Sequence, residues 1–140
     1  LSIIMGRMVL VTGDLALLHD TNGWLFSKDR NISLVVIMID NGGGGIFNQL
    51  NIDRIQEGDF EEIFLMPQRV CPLTLAKSYG VKYKQVACLD DLEKAIEWGV
   101  SLSTNVLIRV CTNSVEDHQL RVSLRDDLKR TFSENLSSFD

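Results

Sequence analysis

The sequence predicts an α/β domain in which a doubly wound, mainly parallel sheet carries helices on both faces. Two apolar runs, residues 8–12 and 33–39, have the Val and Ile content of strands buried on both sides, and each ends at polar residues and glycine. The stretch between them is long enough for one crossover helix. Helical and strand patterns alternate again farther along the chain, as a sheet built from βαβ units requires.

The remaining elements follow from local signals. Pro72 starts a helix and Gly80 ends it, while Asp90 and Asp91 cap the start of another. The predicted order is therefore β-α-β-α-α-β-α-β. The expected elements are strand 8–12, crossover helix 15–26, strand 33–39, helix 60–65, helix 73–79, strand 81–86, helix 92–98 and strand 105–111, with a polar loop over 51–58.

The carboxyl-terminal segment predicts an amphipathic helix over residues 115–132. Large apolar residues recur there at every fourth position, beside a basic edge. We expect this helix to dock on the domain, although a membrane-surface or partner helix is an alternative, and we expect residues 133–140 to fray. The α/β domain is assigned to residues 1–112, truncated at its amino terminus, and residues 113–140 to the terminal helix and tail of the same domain. The apolar positions are Leu120, Leu124, Leu128 and Phe132.

Composition restricts the class of protein. A chain of 140 residues with 45% hydrophobic and 24% charged residues suits one globular domain, and its net charge of −5 argues against a nucleic-acid partner. Cys71, Cys88 and Cys111 form no CxxC pair, which indicates a reducing compartment rather than a disulfide framework or a zinc site. The apolar runs are far shorter than the ~20 residues that span a bilayer.

Polar residues follow both buried strands. Asp14 ends the first strand and Asn41 ends the second, before a run of four glycines. In open α/β sheets, ligands bind outside the carboxyl ends of the strands, so both side chains are expected to face one crevice. A carboxylate, an amide oxygen and a backbone carbonyl form an incomplete ligand set for Mg²⁺, which the phosphates of a bound cofactor complete.

These residues carry a family resemblance. Gly13-Asp14 followed by Asn41 is similar to the thiamine-diphosphate motif. The chain resembles the carboxy-terminal cofactor domain of the 2-succinyl-5-enolpyruvyl-6-hydroxy-3-cyclohexene-1-carboxylate synthases, especially their cyanobacterial and plastid forms. The segments that show this resemblance are GDLALLHDTNG (13–23), NGGGGIF (41–47), FEEIFLMPQ (60–68) and TLAKSYGV (74–81). The similarity extends from residue 8 to about residue 112.

The resemblance implies thiamine diphosphate and Mg²⁺ (or Mn²⁺) as cofactors in a thiamine-diphosphate-binding fold. It identifies no certain catalytic side chain. The implied metal ligands are the side chains of Asp14 and Asn41 and the carbonyl of Gly43. The expected cofactor-binding residues are Gly13, Asp14, Leu15, Ala16, Asn41 and Gly43. Leu15 and Ala16 are included because they lie at the expected start of a helix, where exposed backbone N–H groups favour a phosphate. The implied walls of the substrate pocket are Ile46, Phe47 and Leu50.

Each assignment has a simpler alternative. Asp14 is an ordinary helix N-cap in one reading, the glycine run is a flexible linker in another, and Ile46 and Phe47 form ordinary core packing in a third. We interpret His19 as a polar or packing residue rather than an acid–base catalyst. Asp40 departs from the Asn that the family usually has, so its charge either strengthens the metal site or repels the diphosphate.

The resemblance implies an enzyme that decarboxylates 2-oxoglutarate and adds the succinyl-semialdehyde unit to isochorismate, in menaquinone or phylloquinone biosynthesis. We interpret the chain as a fragment that is inactive alone, because a pyrimidine-binding domain or subunit is missing. The intact protein is expected to be a homodimer or homotetramer in the cytoplasm, or in the plastid stroma of an alga or plant. The alternatives are another thiamine enzyme of the acetolactate-synthase type and a non-catalytic α/β fragment.

Overall fold

The computed structural model describes residues 6–29, 32–49 and 57–136, which include a four-stranded, entirely parallel sheet. The strands lie in the order β1-β2-β4-β3, so β2 and β4 are central. The predicted α/β class with a parallel sheet is confirmed. The strands are β1 Gly6–Gly13, β2 Ile32–Asp40, β3 Lys82–Val86 and β4 Val106–Cys111.

Helices and helical turns connect these strands. The α-helices are α1 Asp14–His19, α2 Glu57–Phe60, α3 Pro72–Ser78, α4 Leu92–Ser101 and α5 Ser114–Leu136. Shorter helical segments are the 3₁₀ turns Thr21–Asp29, Gly45–Gln49 and Leu89–Asp91 and the π-helical turn Glu61–Leu65.

The two central strands are buried on both faces. On one face, Met38 and Leu107 pack with Leu17 of α1 and Ala76 of α3. On the other face, Val35 and Ile108 pack with Ala95 of α4. Gly99 lets α4 lie close to this face, because a Cβ there would press against three sheet side chains. Helices therefore cover both faces, as the sequence predicts.

The first strand differs from its prediction, because it is not buried. Met8, Val9, Leu10 and Val11 are between 46% and 64% exposed, although they alternate between the two faces of the sheet. The physical reason is position. β1 is an edge strand, paired only with β2 among the described residues, and none of its residues belongs to either buried cluster of the described sheet.

The crossover also differs from the single helix predicted over residues 15–26. The α-helix ends after His19, and Asp20, its C-cap, donates its N–H to the carbonyls of Ala16 and Leu17. The chain continues as the 3₁₀ segment Thr21–Asp29, in which Gly23 donates to Asp20. Among the described residues, no atom beyond those adjoining Gly23 lies within 4 Å of its Cβ position, so this glycine marks a turn in the described structure.

The helix predicted over residues 60–65 begins earlier and changes type. One α-helical turn, Glu57–Phe60, leads into the π-helical turn Glu61–Leu65, which ends where Met66 takes a left-handed conformation with φ 47°. Of the polar loop predicted over 51–58, residues 51–56 lie outside the described part, and residues 57 and 58 are helical.

The terminal helix forms, but it does not dock along its length. α5 extends from Ser114 to Leu136, beyond the predicted end, and its main described contact is with the 3₁₀ segment Gly45–Gln49. Its apolar residues project into solvent, and the central strands β2 and β4 are covered by α1, α3 and α4 instead. Among the described residues, no helix combines the length and apolar character needed to cross a membrane. The exposed positions are Val115, Leu120, Val122, Leu124, Leu128 and Phe132.

Candidate cofactor and metal site

The predicted polar residues meet at the carboxyl edge of the sheet. Gly13, the last residue of β1, pairs with Ile39 of β2, so Asp14, which follows β1, and Asp40, which ends β2, lie at neighbouring strand ends. Both carboxylates line a cleft of about 340 Å³ together with Gly42 and Arg109. A second cleft of similar volume, on the side of Asn41, shares Asp40, Gly42 and Arg109 with the first. The two strand ends therefore build one polar site.

Asp14 is held by backbone donors and is only 7% exposed. Its Oδ1 accepts the N–H of Leu15 at 2.8 Å, and its Oδ2 accepts the N–H of Gly43 at 2.6 Å. The alternative that Asp14 is an N-cap is wrong, because Gly13 occupies that position and α1 has no side-chain cap.

The environment of Asp14 favours a bound cation. Burial raises the pKa of this carboxyl group above its ordinary value; the N–H groups of Leu15 and Gly43 oppose the shift, and the charge of Asp40 adds to it. A positive ion at the carboxylate would reverse both unfavourable effects, because it would replace lost solvation and offset the neighbouring negative charge.

The glycine run is a fixed turn, which excludes the flexible-linker alternative in this structure. Gly42 and Gly43 have φ of +86° and +129°, and Gly44 donates its N–H to the carbonyl of Leu65 at 2.6 Å. A Cβ at Gly43 or Gly44 would overlap a backbone carbonyl oxygen of Leu65 or Phe64. The carbonyl of Gly43 accepts the N–H of Gly45 at 2.9 Å and retains a second lone pair.

Asn41 carries the observation that fits a metal. Its Oδ1 is buried and has no hydrogen-bond partner within the described part of the chain. Such an acceptor costs about 1–3 kcal/mol unless something satisfies it, and a hard cation binds amide oxygens well. The described residues contain no group of three or more His, Cys, Asp or Glu side chains that could hold a metal ion. The predicted set, with one carboxylate, therefore fits a cation whose remaining ligands come from a cofactor.

Asp40, the departure from the family pattern, forms an ion pair. Its Oδ2 lies 2.6 Å from Nε of Arg109, a half-buried residue of the neighbouring strand β4. Burial lowers the pKa of Arg109, but the hydrogen bond and charge of Asp40, with smaller contributions from Cys111 and Cys71, raise it above its ordinary value overall, so the guanidinium stays ionised. The charge at position 40 is therefore balanced inside the protein.

The predicted pocket wall lies on the surface beside this site. Ile46 is 65% exposed, so the core-packing alternative fails for that residue. Phe47 is 37% exposed and packs edge-on against Phe64, with ring centroids 5.5 Å apart. Leu50, the third predicted wall residue, lies outside the described residues.

The structure adds a residue that sequence reasoning missed and modifies one predicted role. Arg109 is the one charged residue in the apolar strand β4. A charged residue in a strand that is otherwise buried needs a partner of opposite charge, and this was the signal in the sequence for its ion pair with Asp40. The N–H of Leu15 is already donated to Asp14, whereas Ala16 lies in the same first turn of α1. His19 is exposed at the end of that helix.

Comparisons with known proteins identify the family of this domain. Residues 4–110 match the family described as thiamine pyrophosphate enzyme, C-terminal TPP binding domain. The whole chain is 89% identical to 2-succinyl-5-enolpyruvyl-6-hydroxy-3-cyclohexene-1-carboxylate synthase from Prochlorococcus marinus strain NATL1A, covering 23% of that protein. The synthase of Synechococcus sp. strain CC9311 is 49% identical over 92% of this chain and 22% of its own length. The chain thus spans less than a quarter of these relatives.

Solved structures show the same fold. A thiamine diphosphate-dependent 4-hydroxybenzoylformate decarboxylase from Rhodococcus jostii RHA1 superposes with a TM-score of 0.62 at 22% identity, over 76% of this chain and 20% of its own. Benzoylformate decarboxylase from Polynucleobacter necessarius gives 0.63 at 21% identity, over 76% and 19%. From the match over residues 4–110 and the shared fold, the chain belongs to the family of C-terminal TPP-binding domains of thiamine pyrophosphate enzymes.

Proposed function

We propose that this chain is the part of a 2-succinyl-5-enolpyruvyl-6-hydroxy-3-cyclohexene-1-carboxylate synthase that holds Mg²⁺ (or Mn²⁺) and the diphosphate of thiamine diphosphate. The observation that carries the metal site is the buried Oδ1 of Asn41, which lacks a partner among the described residues, at the same sheet edge as buried Asp14. In this proposal, the side chains of Asp14 and Asn41 and the carbonyl of Gly43 ligate the cation.

The residues around the cation have separate tasks. Asp14 supplies negative charge, and the backbone at Gly13 and Gly43 allows the diphosphate to approach closely. Ala16 offers its backbone N–H to the diphosphate, and Leu15 does so only when Asp14 releases its N–H. The apolar surface of Ile46 and Phe47, completed by Leu50, excludes water from the pocket; these three contacts are proposed and not observed.

The proposed reaction belongs to the intact enzyme. Thiamine diphosphate supplies the nucleophilic carbon chemistry by which 2-oxoglutarate loses CO₂ and its succinyl-semialdehyde unit is added to isochorismate, in menaquinone or phylloquinone biosynthesis. The protein residues orient the cofactor and exclude solvent. Relatives with the synthase's name are more than four times longer than the matched region, which supports a role for further domains.

The proposal extends to assembly and compartment. We propose a homodimer or homotetramer in which a pyrimidine-binding domain completes the cofactor site, and a location in the cytoplasm or, in an alga or plant, the plastid stroma. Cys71, Cys88 and Cys111 are all free thiols, which supports a reducing compartment. Two of the three are exposed, so an oxidising compartment would leave them open to reaction.

Calorimetry on a chimera tests the metal site. The 140-residue chain replaces the matched residues of the Prochlorococcus marinus NATL1A relative, and Mg²⁺ with thiamine diphosphate is titrated into the product. Asp14→Asn should weaken Mg²⁺-dependent cofactor binding by about 100-fold or more, because removing one partner of a buried charge pair costs roughly 3–5 kcal/mol.

The matched control is Asp20→Asn, the same chemical change at the exposed carboxyl end of α1. Its cofactor affinity should equal that of the unmodified chimera. If Asp14→Asn also binds Mg²⁺ and thiamine diphosphate with unchanged affinity, Asp14 is not a metal ligand and the proposed site is wrong.

A further inference from the structure

A row of polar side chains crosses three strands at the carboxyl edge of the sheet. Gln85 of β3 lies in register with Arg109 of β4, and Arg109 lies in register with Met38 of β2, two residues before Asp40. Arg109 donates from Nε to Asp40 Oδ2 at 2.6 Å and from a terminal nitrogen to Gln85 Oε1 at 3.2 Å. The guanidinium is therefore fixed from both sides.

Asp40 transmits this restraint to the glycine run. Its second oxygen, Oδ1, accepts the N–H of Gly42 at 3.1 Å. The next N–H along the chain, that of Gly43, is donated to Asp14. The carboxylates of Asp40 and Asp14 therefore hold the backbone N–H groups of Gly42 and Gly43. Both glycines have positive φ angles, which residues with a side chain rarely adopt.

This arrangement places two nearly buried carboxylates together. Asp14 is 7% exposed and Asp40 is 9% exposed, and both line the same cleft. Like charges at such sites repel strongly unless a cation compensates them, since the low local dielectric weakens screening. Arg109 is the cation that contacts Asp40 in the described structure, and without it the carboxylate would gain by turning toward solvent and releasing Gly42.

We propose that Arg109 is a positioning residue for the metal-binding loop. By neutralising and orienting Asp40, it holds the amide of Gly42, and this sets the direction of the Asn41 amide oxygen and the Gly43 carbonyl on either side. The inference rests on the proposed function for its metal. The hydrogen bonds that link Arg109 to Gly42 through Asp40 are independent of that function. It also explains how this chain accommodates Asp40 where the resembled family usually has Asn.

Amide hydrogen exchange on the metal-free 140-residue chain tests the contacts directly. In Arg109→Gln, the Gly42 amide should exchange about tenfold faster, because its hydrogen bond to the Asp40 carboxylate is weakened when that carboxylate turns toward solvent. Arg109→Lys should restore slower exchange, since it keeps the charge. Arg121→Gln on exposed α5 is the matched control and should leave Gly42 unchanged. Unchanged exchange at Gly42 in Arg109→Gln overturns the proposal.

Mg²⁺ affinity in the chimera supplies the second measurement. Arg109→Gln should weaken it by roughly 10- to 100-fold, the usual effect of losing a residue that orients metal ligands. The double variant Asp40→Asn/Arg109→Gln should return to within about twofold of the unmodified chimera, because the introduced amide oxygen still accepts the N–H of Gly42 and no charge is left unpaired. A double variant as weak as Arg109→Gln overturns the proposal.

Whether the Arg109→Gln and double variants fold also tests the role of Asp40. If Arg109→Gln does not fold but the double variant does, the unpaired carboxylate caused the loss and the proposal is supported; if neither folds, Arg109 acts independently of Asp40 and the proposal is overturned. If the unmodified chimera fails to bind Mg²⁺ and thiamine diphosphate, the proposed function fails, while the exchange rate at Gly42 still decides the role of Arg109.

Discussion

Replacing Gly44 by alanine tests whether the glycine run must lie against the backbone that follows α2. The new Cβ would overlap the carbonyl oxygen of Phe64 and lie 3.0 Å from the Phe47 ring. Overpacking of this kind costs about 1–3 kcal/mol, and displacement of the loop also strains the Gly44 N–H bond to Leu65, which contributes about 1 kcal/mol. We expect a loss of about 3 kcal/mol in the free energy of unfolding.

Thermal unfolding of the metal-free chain, followed by circular dichroism, measures this loss. For a chain of 140 residues, it corresponds to a decrease in Tm of roughly 10 °C. Gly58→Ala is the matched control, because Gly58 is exposed in α2 and, within the part of the chain that the structure describes, no atom outside this helical turn lies within 4 Å of its Cβ position. That variant should keep or slightly raise its Tm, since alanine favours a helix by about 1 kcal/mol. Equal Tm values for the two variants would refute the close packing described here.

Two further predictions follow from the site. Because burial raises the pKa of Asp14, the folded state holds more protons than the unfolded state between the ordinary and raised pKa values, so the unfolding free energy of the metal-free chain should fall as pH rises through that interval. Urea denaturation measures the slope, and a slope unchanged in Asp14→Asn would contradict the assignment. In the chimera, Phe47→Ala should lower kcat/KM by about tenfold with Mg²⁺ affinity within about twofold of normal. Lower Tm with unchanged kinetics would instead show that Phe47 serves only to pack against Phe64.

Local patterns in the sequence determined much of the architecture. Continuous apolar runs predicted β2 and β4 close to their observed bounds, and Pro72 and Gly80 delimited α3. The same patterns placed Asp14 and Asn41 at neighbouring strand ends, because parallel strands joined by a crossover present their carboxyl ends at one edge. These features were predictable since they depend on chain connectivity and on the hydrophobicity of short segments.

Exposure was not predictable in the same way. The apolar residues of β1 and α5 have the pattern of buried elements, yet both are largely exposed in the described structure. The spacing of apolar residues along a segment shows which of them share a face, but their burial depends on whether another element covers that face. The division of the crossover after His19 likewise depended on carbonyl partners for Asp20, which periodicity does not reveal.

Some features of the site could be predicted from the sequence, and others depended on the tertiary structure. The sequence determined which residues offer oxygen ligands and that glycine was needed beside them. Only the tertiary structure decided that Asp40 is neutralised by Arg109, 69 residues away, and that Gly44 lies against the Leu65 carbonyl. Ion pairs and close backbone contacts between distant segments depend on strand order and register, and no local spacing encodes either.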